Sequence, residues 1–405
     1  LRPPLPDAAK ETAHMPAANE PANPQGADPA RLFTQAQDRT RAGDPAGARR
    51  LLEQAAQAGH LGALTQWGVW DLIGLGGPVD VPGAVARLQA AANGGFPPAR
   101  TLLAQLTAAG AGGLARDFKA VQAELLQAAQ AGDARATVQL ALLMPGTAEH
   151  SAQRTALWRA AAAAGEPIAR MFLERLPPAP PSPAIAWNAI GAQLHWPHER
   201  PLPQAQTRSG QPRILSLPGL LTADECIYVA LKGLPMLRPA RVVGRDGQST
   251  VDAIRSNETA KFGLLEADAV VQSLDLRVAA ALGHPAENGE GFALLRYQVG
   301  QQYLPHCDWI DPDREATRAD LTRWGQRVAT CVVYLNDSFA GGATAFPELG
   351  LELRGGVGDA LLWDNVRPDG AVDPLTLHAG QPPTQGTKYL LSKWMRNRSQ
   401  VGNET

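Results

Sequence analysis

The stretch LLRYQVGQQYLPHCDW, residues 294–309, decides how this chain is read. It carries β-type residues up to a turn signal at Gly300, resumes at Tyr303, and places His306 and Asp308 two positions apart. Alternate residues of a strand share a face, so one imidazole and one carboxylate are aimed at a single point. Cys307 between them points to the opposite face and reads as core or flank rather than ligand. An isolated His-x-Asp is also what a surface strand with two polar residues looks like, so its meaning depends on the residues C-terminal to it.

Downstream, RVATCVVYLND (327–337) is a buried strand, and AGGATAFPELGLELRGGVGDALLWDN (340–365) alternates short strands with glycine turns. DPLTLHAGQPPTQGTKYLLSKWMRNR (373–398) then supplies His378 and, ten residues on, Lys388. Two His and one carboxylate from separate strands form a facial triad, the ligand set of non-haem Fe(II) oxygenases, which leaves adjacent positions for a cosubstrate and dioxygen. A 2-oxo dicarboxylic acid chelated at such a metal buries its far carboxylate, and Lys388 is placed to neutralise it. Alone, Lys388 would read as a solvated surface lysine.

These pieces, in this order and spacing, resemble the prolyl 4-hydroxylase family of 2-oxoglutarate-dependent dioxygenases from about residue 212 to 398. RYQVGQQYLPHCDW, RVATCVVYLND, GGATAFPE, RPDGAVDPLTLHAG and GTKYLLSKW carry the resemblance. It implies a double-stranded β-helix (jelly-roll) domain with Fe(II) on His306, Asp308 and His378. It implies 2-oxoglutarate on Lys388 with Tyr297 and Thr344 as hydrogen-bonding partners, O2 as second cosubstrate and ascorbate as reductant. It also places Arg327 and Trp394 beside a peptide substrate. The implied reaction is 4-hydroxylation of a prolyl residue of a peptide or protein, with release of succinate and CO2. Departures are Ala343 where the family usually has Glu, Tyr389 where Trp is common, and Arg396 where peptide-acting members commonly have His; they bear on the substrate, not on the iron. Three alternatives stay open: another peptide side chain or a small molecule as substrate, a repeat scaffold with an inactive jelly roll, and a zinc or manganese cupin-type enzyme. Lys388 discriminates against the last.

The N-terminal half has a different texture. LLEQAAQAGHLGAL (51–64), LQAAANGGFPPARTLL (88–103), LLQAAQAGDARATVQL (125–140) and LWRAAAAAGEPIARMFL (157–173) align on Gly59, Gly95, Gly132 and Gly165, spaced 36, 37 and 33 residues apart. That period fits a solenoid of helix pairs, each with a glycine that takes a left-handed cap. The pattern resembles the Sel-one-like branch of tetratricopeptide-type repeats, which bind or present partners.

The expected organisation is therefore a disordered lead-in at 1–30, helical repeats at 31–175, a proline-rich linker and short helix at 176–211, the dioxygenase domain at 212–398 and a tail at 399–405. The linker LPPAPPSP (176–183) reads as a polyproline II spacer. His195 and His198 read as packing residues, since no third ligand lies near. PRILSLPGLLTADECIYVALKGL (212–234) reads as a strand followed by a helix capped by Thr222 or Asp224.

Composition bounds the function. With 405 residues and 44% hydrophobic residues the chain can bury cores for two or three domains. A net charge of -2 gives no footprint for nucleic acid or an anionic membrane. Three widely spaced cysteines, Cys226, Cys307 and Cys331, make neither a disulfide framework nor a zinc knuckle and fit a reducing, cytoplasmic setting. The first residue is Leu rather than Met, which leaves open a preceding segment such as a signal peptide.

Overall fold

The computed structural model describes residues 28–176, 183–243, 249–250 and 254–400. Most of the expected lead-in, most of the proline run, and the last residues of the tail lie outside this set. The chain divides into two compact units between Val79 and Asp80.

The first unit holds α1 (Pro29–Arg41), α2 (Pro45–Gln57) and α3 (Leu61–Ile73) around Leu32, Leu52 and Trp70. Asp71, fully buried on α3, is paired with Arg49 of α2. The second unit continues the helix pairs with α4 (Val81–Asn93), α5 (Pro97–Ala109), α6 (Phe118–Gln130), α7 (Ala134–Leu143), α8 (Ser151–Ala163) and α9 (Pro167–Arg175). The repeating glycines do what their spacing predicts. Gly59, Gly95, Gly132 and Gly165 have φ of 93°, 89°, 94° and 93°. After each, the next amide donates back to a carbonyl in the last helical turn, as Asp133 does to Ala128 at 2.9 Å. Asp80, Asp117 and Asp133 cap the helices that start after them.

Past a short helix α10 (Trp187–Ile190), the second unit becomes sheet-rich, with α11 (Ala223–Gly233), α12 (Ala269–Leu282) and a small α13 (Arg318–Trp324). Thr222 caps α11 in a reciprocal box with Glu225. Sixteen strands are described. In chain order they are β1 (Gln206–Gly210), β2 (Arg213–Leu217), β3 (Arg238–Pro239), β4 (Val242–Val243), β5 (Ser249–Thr250), β6 (Glu258–Lys261), β7 (Ala293–Tyr297) and β8 (Tyr303–His306). The remaining eight are β9 (Arg327–Tyr334), β10 (Phe339–Gly341), β11 (Thr344–Phe346), β12 (Leu351–Leu353), β13 (Ala360–Asp364), β14 (His378–Gly380), β15 (Pro383–Gly386) and β16 (Lys388–Arg396). An eight-stranded antiparallel sheet runs β1-β2-β13-β9-β16-β7-β6-β3, and a four-stranded sheet runs β12-β11-β14-β8. This is the expected jelly roll, preceded by the expected helical repeats. Between the sheets Tyr297, Tyr334, Phe346, Trp363 and Leu390 form one apolar cluster.

The outer face of the large sheet belongs to a different core. Leu106, Leu125, Leu140 and Trp158 of the repeats are almost fully buried, and one continuous cluster links repeat residues such as Leu125 and Trp158 to Val270 and Leu274 of α12 and Leu391 and Met395 of β16. α12 packs directly on α5 and α7. Arg154 of α8 pairs with Asp224 of α11 at 2.5 Å. Arg277 of α12 donates to the carbonyls of Pro197, Arg200, Pro201 and Leu220. His198 contacts Ser273 Oγ through Nδ1 at 2.8 Å and packs on Phe118, so it serves packing as expected. Excising residues 80–175 is therefore expected to unfold the sheet domain rather than release it. Each large apolar side chain so exposed costs about 1.5–3 kcal/mol, against a total stability of about 5–15 kcal/mol. Near-UV circular dichroism and thermal unfolding of the shortened chain check this; a cooperative transition like that of the full chain is the contrary result.

Candidate metal and dicarboxylate site

His306 ends β8 and His378 begins β14, and the two are register partners across that pair of strands. Asp308 comes two residues after His306. The three side chains offer ligand atoms that all lie within 4.8 Å of one another, the single such group among the described residues. His306 Nε2 is 3.8 Å from Asp308 Oδ1, and His378 Nε2 is 3.6 Å from Asp308 Oδ2. Each imidazole is oriented from behind: His306 Nδ1 meets the Leu304 carbonyl at 2.8 Å and His378 Nδ1 the Thr376 carbonyl at 2.9 Å. With Nδ1–H donated to a carbonyl, the tautomer leaves each Nε2 lone pair facing the carboxylate.

Packing fixes the ring planes. Tyr303 stacks on His306 with centroids 3.4 Å apart, and Trp363 and Phe346 lie 4.7 and 5.8 Å from His378. Burial, and then the neighbouring His378, drive the His306 imidazole down to about 3, so it is neutral at physiological pH. Burial alone would push the Asp308 carboxyl up, but His378, His306, Arg327 and a hydrogen bond from Thr330 hold it below its ordinary value. A neutral imidazole at His306 and a carboxylate at Asp308 are protonation states that a divalent cation needs. Cys307 is not part of the group.

Lys388 opens β16 opposite Tyr297 of β7 and is fully buried. Its Nζ donates to the Gly342 carbonyl at 2.9 Å and lies 4.6 Å from the centre of the Tyr297 ring. No carboxylate pairs with it among the described residues. Burial, with a smaller push from Arg354, lowers its pKa to about 7. A buried amine with no counter-charge is costly unless an anion joins it. Gly380, two residues past His378, sits against the Tyr297 hydroxyl: a Cβ added there would lie 3.1 Å from it. Tyr297 thus stands between Lys388 and the strand that carries His378. Thr344, also buried, shares a hydrogen bond with Tyr334 Oη at 2.9 Å.

Arg327 and Trp394 lie together, the guanidinium 4.5 Å over the indole. Arg327 Nε and Nη2 are both taken by Glu290, at 2.6 and 2.8 Å. Sequence reasoning missed the residues behind Asp308. Thr330 Oγ1 donates to Asp308 Oδ2 at 2.8 Å and accepts from Asn365 Nδ2 at 2.9 Å, so Oδ1 stays available. The available signal was a lone hydroxyl inside the apolar run of β9. Also missed was Arg255, whose guanidinium lies 4.7 Å over Tyr303 and extends its stack on His306. A separate cavity of about 720 Å³, between the 110–116 loop and α12, has no triad residue in its lining.

Comparison with known proteins covers the same region. The family model described as the 2OG-Fe(II) oxygenase superfamily matches residues 292–396. Prolyl 4-hydroxylase 1 of Arabidopsis thaliana is 32% identical over 206 residues, covering 47% of this chain and 71% of that protein. Among solved structures, a viral collagen prolyl hydroxylase from Paramecium Bursaria Chlorella virus-1, in complex with 2OG, is 24% identical, covers 45% of this chain and 95% of that one, and aligns with a TM-score of 0.36. A Sel1 repeat protein from Oxalobacter formigenes is 23% identical, covers 36% of this chain and 62% of that one, with a TM-score of 0.32.

Proposed function

Since the chain belongs to the prolyl 4-hydroxylase family of 2OG-Fe(II) oxygenases, we propose that His306, Asp308 and His378 hold its Fe(II), that Lys388 receives the far carboxylate of 2-oxoglutarate, and that a prolyl residue of a peptide or protein is hydroxylated at its 4-position. The observation that carries this reading is the pairing of a two-imidazole, one-carboxylate cluster with a buried, uncompensated lysine on the same jelly-roll interior. A zinc or manganese cupin-type site gives Lys388 no task.

When bound, ferrous iron and 2-oxoglutarate supply the oxidising chemistry with O2, releasing succinate and CO2. The chain's own residues orient and enclose. The Leu304 and Thr376 carbonyls hold both imidazoles with Nε2 inward. The Thr330–Asn365 chain orients the Asp308 carboxylate. Lys388 and the Gly342 carbonyl mark the deep end of the cosubstrate pocket, with Tyr297 and Thr344 along its wall. Trp363, Phe346 and Trp394 keep the interior apolar, which strengthens each charge pairing inside it. Arg327 and Trp394 border the substrate side. Ascorbate serves as external reductant, and the helical repeats present a partner-binding surface.

The reading is tested by incubating the full chain with Fe(II), 2-oxoglutarate, ascorbate and proline-rich peptides. Succinate release that depends on peptide, with one oxygen added to a proline by mass spectrometry, is the expected result. Succinate release with no modified proline in any peptide would move the substrate to another class. Replacing Thr330 with Val is expected to weaken Fe(II) binding about 10–100-fold, the usual cost of a lost residue behind a metal ligand. A metal titration monitored by tryptophan fluorescence measures it; unchanged affinity would show Thr330 to be packing alone.

A further inference from the structure

The segment between Asp308 and Arg327 leaves the candidate metal cluster, forms α13, and returns at the substrate side. What holds it comes from the end of β16 and the residues just past it. Arg396 is buried and makes three contacts at 2.8 Å: Nε to Glu290, and Nη1 to both Asp320 of α13 and the Gly325 carbonyl. Asn397 exchanges two hydrogen bonds with Gln326, its side chain accepting from the Gln326 amide and its own amide donating to the Gln326 carbonyl, each at 2.9 Å. Gly325, at φ 78°, is required here because a Cβ would lie 2.2 Å from Asn397 Oδ1. Arg398 donates to the Thr322 carbonyl at 2.6 Å and Gln400 to the Trp324 carbonyl at 3.0 Å. Residues 396–400 therefore form a strap across the returning segment.

Glu290 joins this strap to the site. Its carboxylate accepts from Arg327 and Arg396 together, one oxygen serving the Nε of both. Both guanidinium groups are buried or half-buried, so these are strong, directional, charge-assisted bonds. Displacing Arg396 leaves Glu290 free to swing Arg327 off the Trp394 ring, and it unpins α13.

We propose that Arg396, acting with Asp320, is a positioning residue that sets affinity for the peptide substrate by holding the 309–326 segment and, through Glu290, the pose of Arg327. This rests on the prolyl hydroxylase reading. Arg396 touches neither the metal cluster nor Lys388; its contacts are to Glu290, Asp320 and the Gly325 carbonyl.

The test uses the full chain and three variants: Arg396→Ala, Arg396→Lys and Asp320→Ala. Asp320 is partly exposed, so its replacement leaves the fold intact even if Arg396→Ala does not fold. Hydrogen–deuterium exchange of residues 311–324 is expected to speed up about tenfold in Asp320→Ala and more in Arg396→Ala, as local opening becomes easier. The KM for peptide is expected to rise about tenfold, with kcat and the KM for 2-oxoglutarate within about twofold of wild type, the signature of lost uniform binding. Arg396→Lys, which keeps one contact to Glu290, restores part of the affinity. Unchanged exchange in Asp320→Ala, or faster exchange with unchanged peptide KM, overturns the proposal. The exchange measurement needs no substrate. Faster exchange in the variants of an enzyme whose wild type modifies no proline would therefore overturn the substrate reading and leave the strap standing.

Discussion

Alanine at Asp308 or at His378 is expected to abolish 2-oxoglutarate turnover, by at least about a thousandfold, while the jelly roll stays folded. Either change removes one of three ligands and several kcal/mol of metal affinity. The fold survives for different reasons at the two positions. Asp308 accepts one side-chain hydrogen bond, from Thr330, and its loss leaves Thr330 and Asn365 to partner each other. His378 packs on Trp363 and Phe346, and its loss opens a cavity between the sheets that lowers the melting temperature by a few degrees. Succinate release, Fe(II) titration and thermal unfolding measured together separate these effects. Full metal affinity in both variants would sink the ligand assignment.

Lys388→Met is expected to act in opposite directions on activity and stability. A charge-assisted pair to a desolvated carboxylate is worth about 2–5 kcal/mol when one partner is removed, so the 2-oxoglutarate requirement should rise a few hundredfold while the Fe(II) requirement stays put. Stability should move the other way. In the unfolded chain the amine keeps its proton up to its ordinary 10.5, whereas in the folded protein burial lets the proton go above about 7. The cost of burying the charged amine is fully present below about pH 7 and fades as pH rises toward 10.5. Methionine fills a similar volume without that cost. The variant should therefore melt higher than wild type at neutral and lower pH without cosubstrate, and the gap should close in alkaline buffer. For the same reason wild-type affinity for 2-oxoglutarate should fall as pH rises above about 7, because binding then requires proton uptake, and the variant should lack that slope. Equal dependence on 2-oxoglutarate in both proteins would remove Lys388 from the pocket.

What could be read from the chain before its structure was whatever is short-range or periodic. Gly59, Gly95, Gly132 and Gly165 announce themselves by spacing, because a left-handed cap is a local requirement. His306 ends β8 and Asp308 follows two residues later, and His378 and Lys388 open β14 and β16 ten residues apart with β15 between them, so these four were legible from close spacing and a fixed order of pieces. Thr330 and Asn365 were not legible, since a hydroxyl in an apolar strand has no meaning until the fold brings Asp308 to it. Arg396 was visible only as a departure from a motif; its three partners lie 71, 76 and 106 residues away. Least legible was the core that the repeats of the second unit share with the sheet domain. A proline-rich run invites a boundary at 176–183, yet α5 and α7 before it pack on α12, and α9 on α11, after it.

β16 is the last strand of the large sheet in chain order, yet it lies at the sheet's centre, between β9 and β7. During synthesis β7 and β9 emerge first, each with a row of unpaired amides and carbonyls facing the gap that β16 will fill. Until it arrives these two strands are open templates for any extended segment, including one from a neighbouring nascent chain. The repeats of the second unit, made earlier, already offer the apolar surface on which α11 and α12, the helices packed on the large sheet, settle. They limit how long the nascent sheet stays exposed, but they cannot close its middle. Translation that pauses or terminates before Lys388 therefore yields more than an inactive enzyme: it yields a sheet missing its central strand, which is a nucleus for aggregation and a substrate for chaperones and proteases.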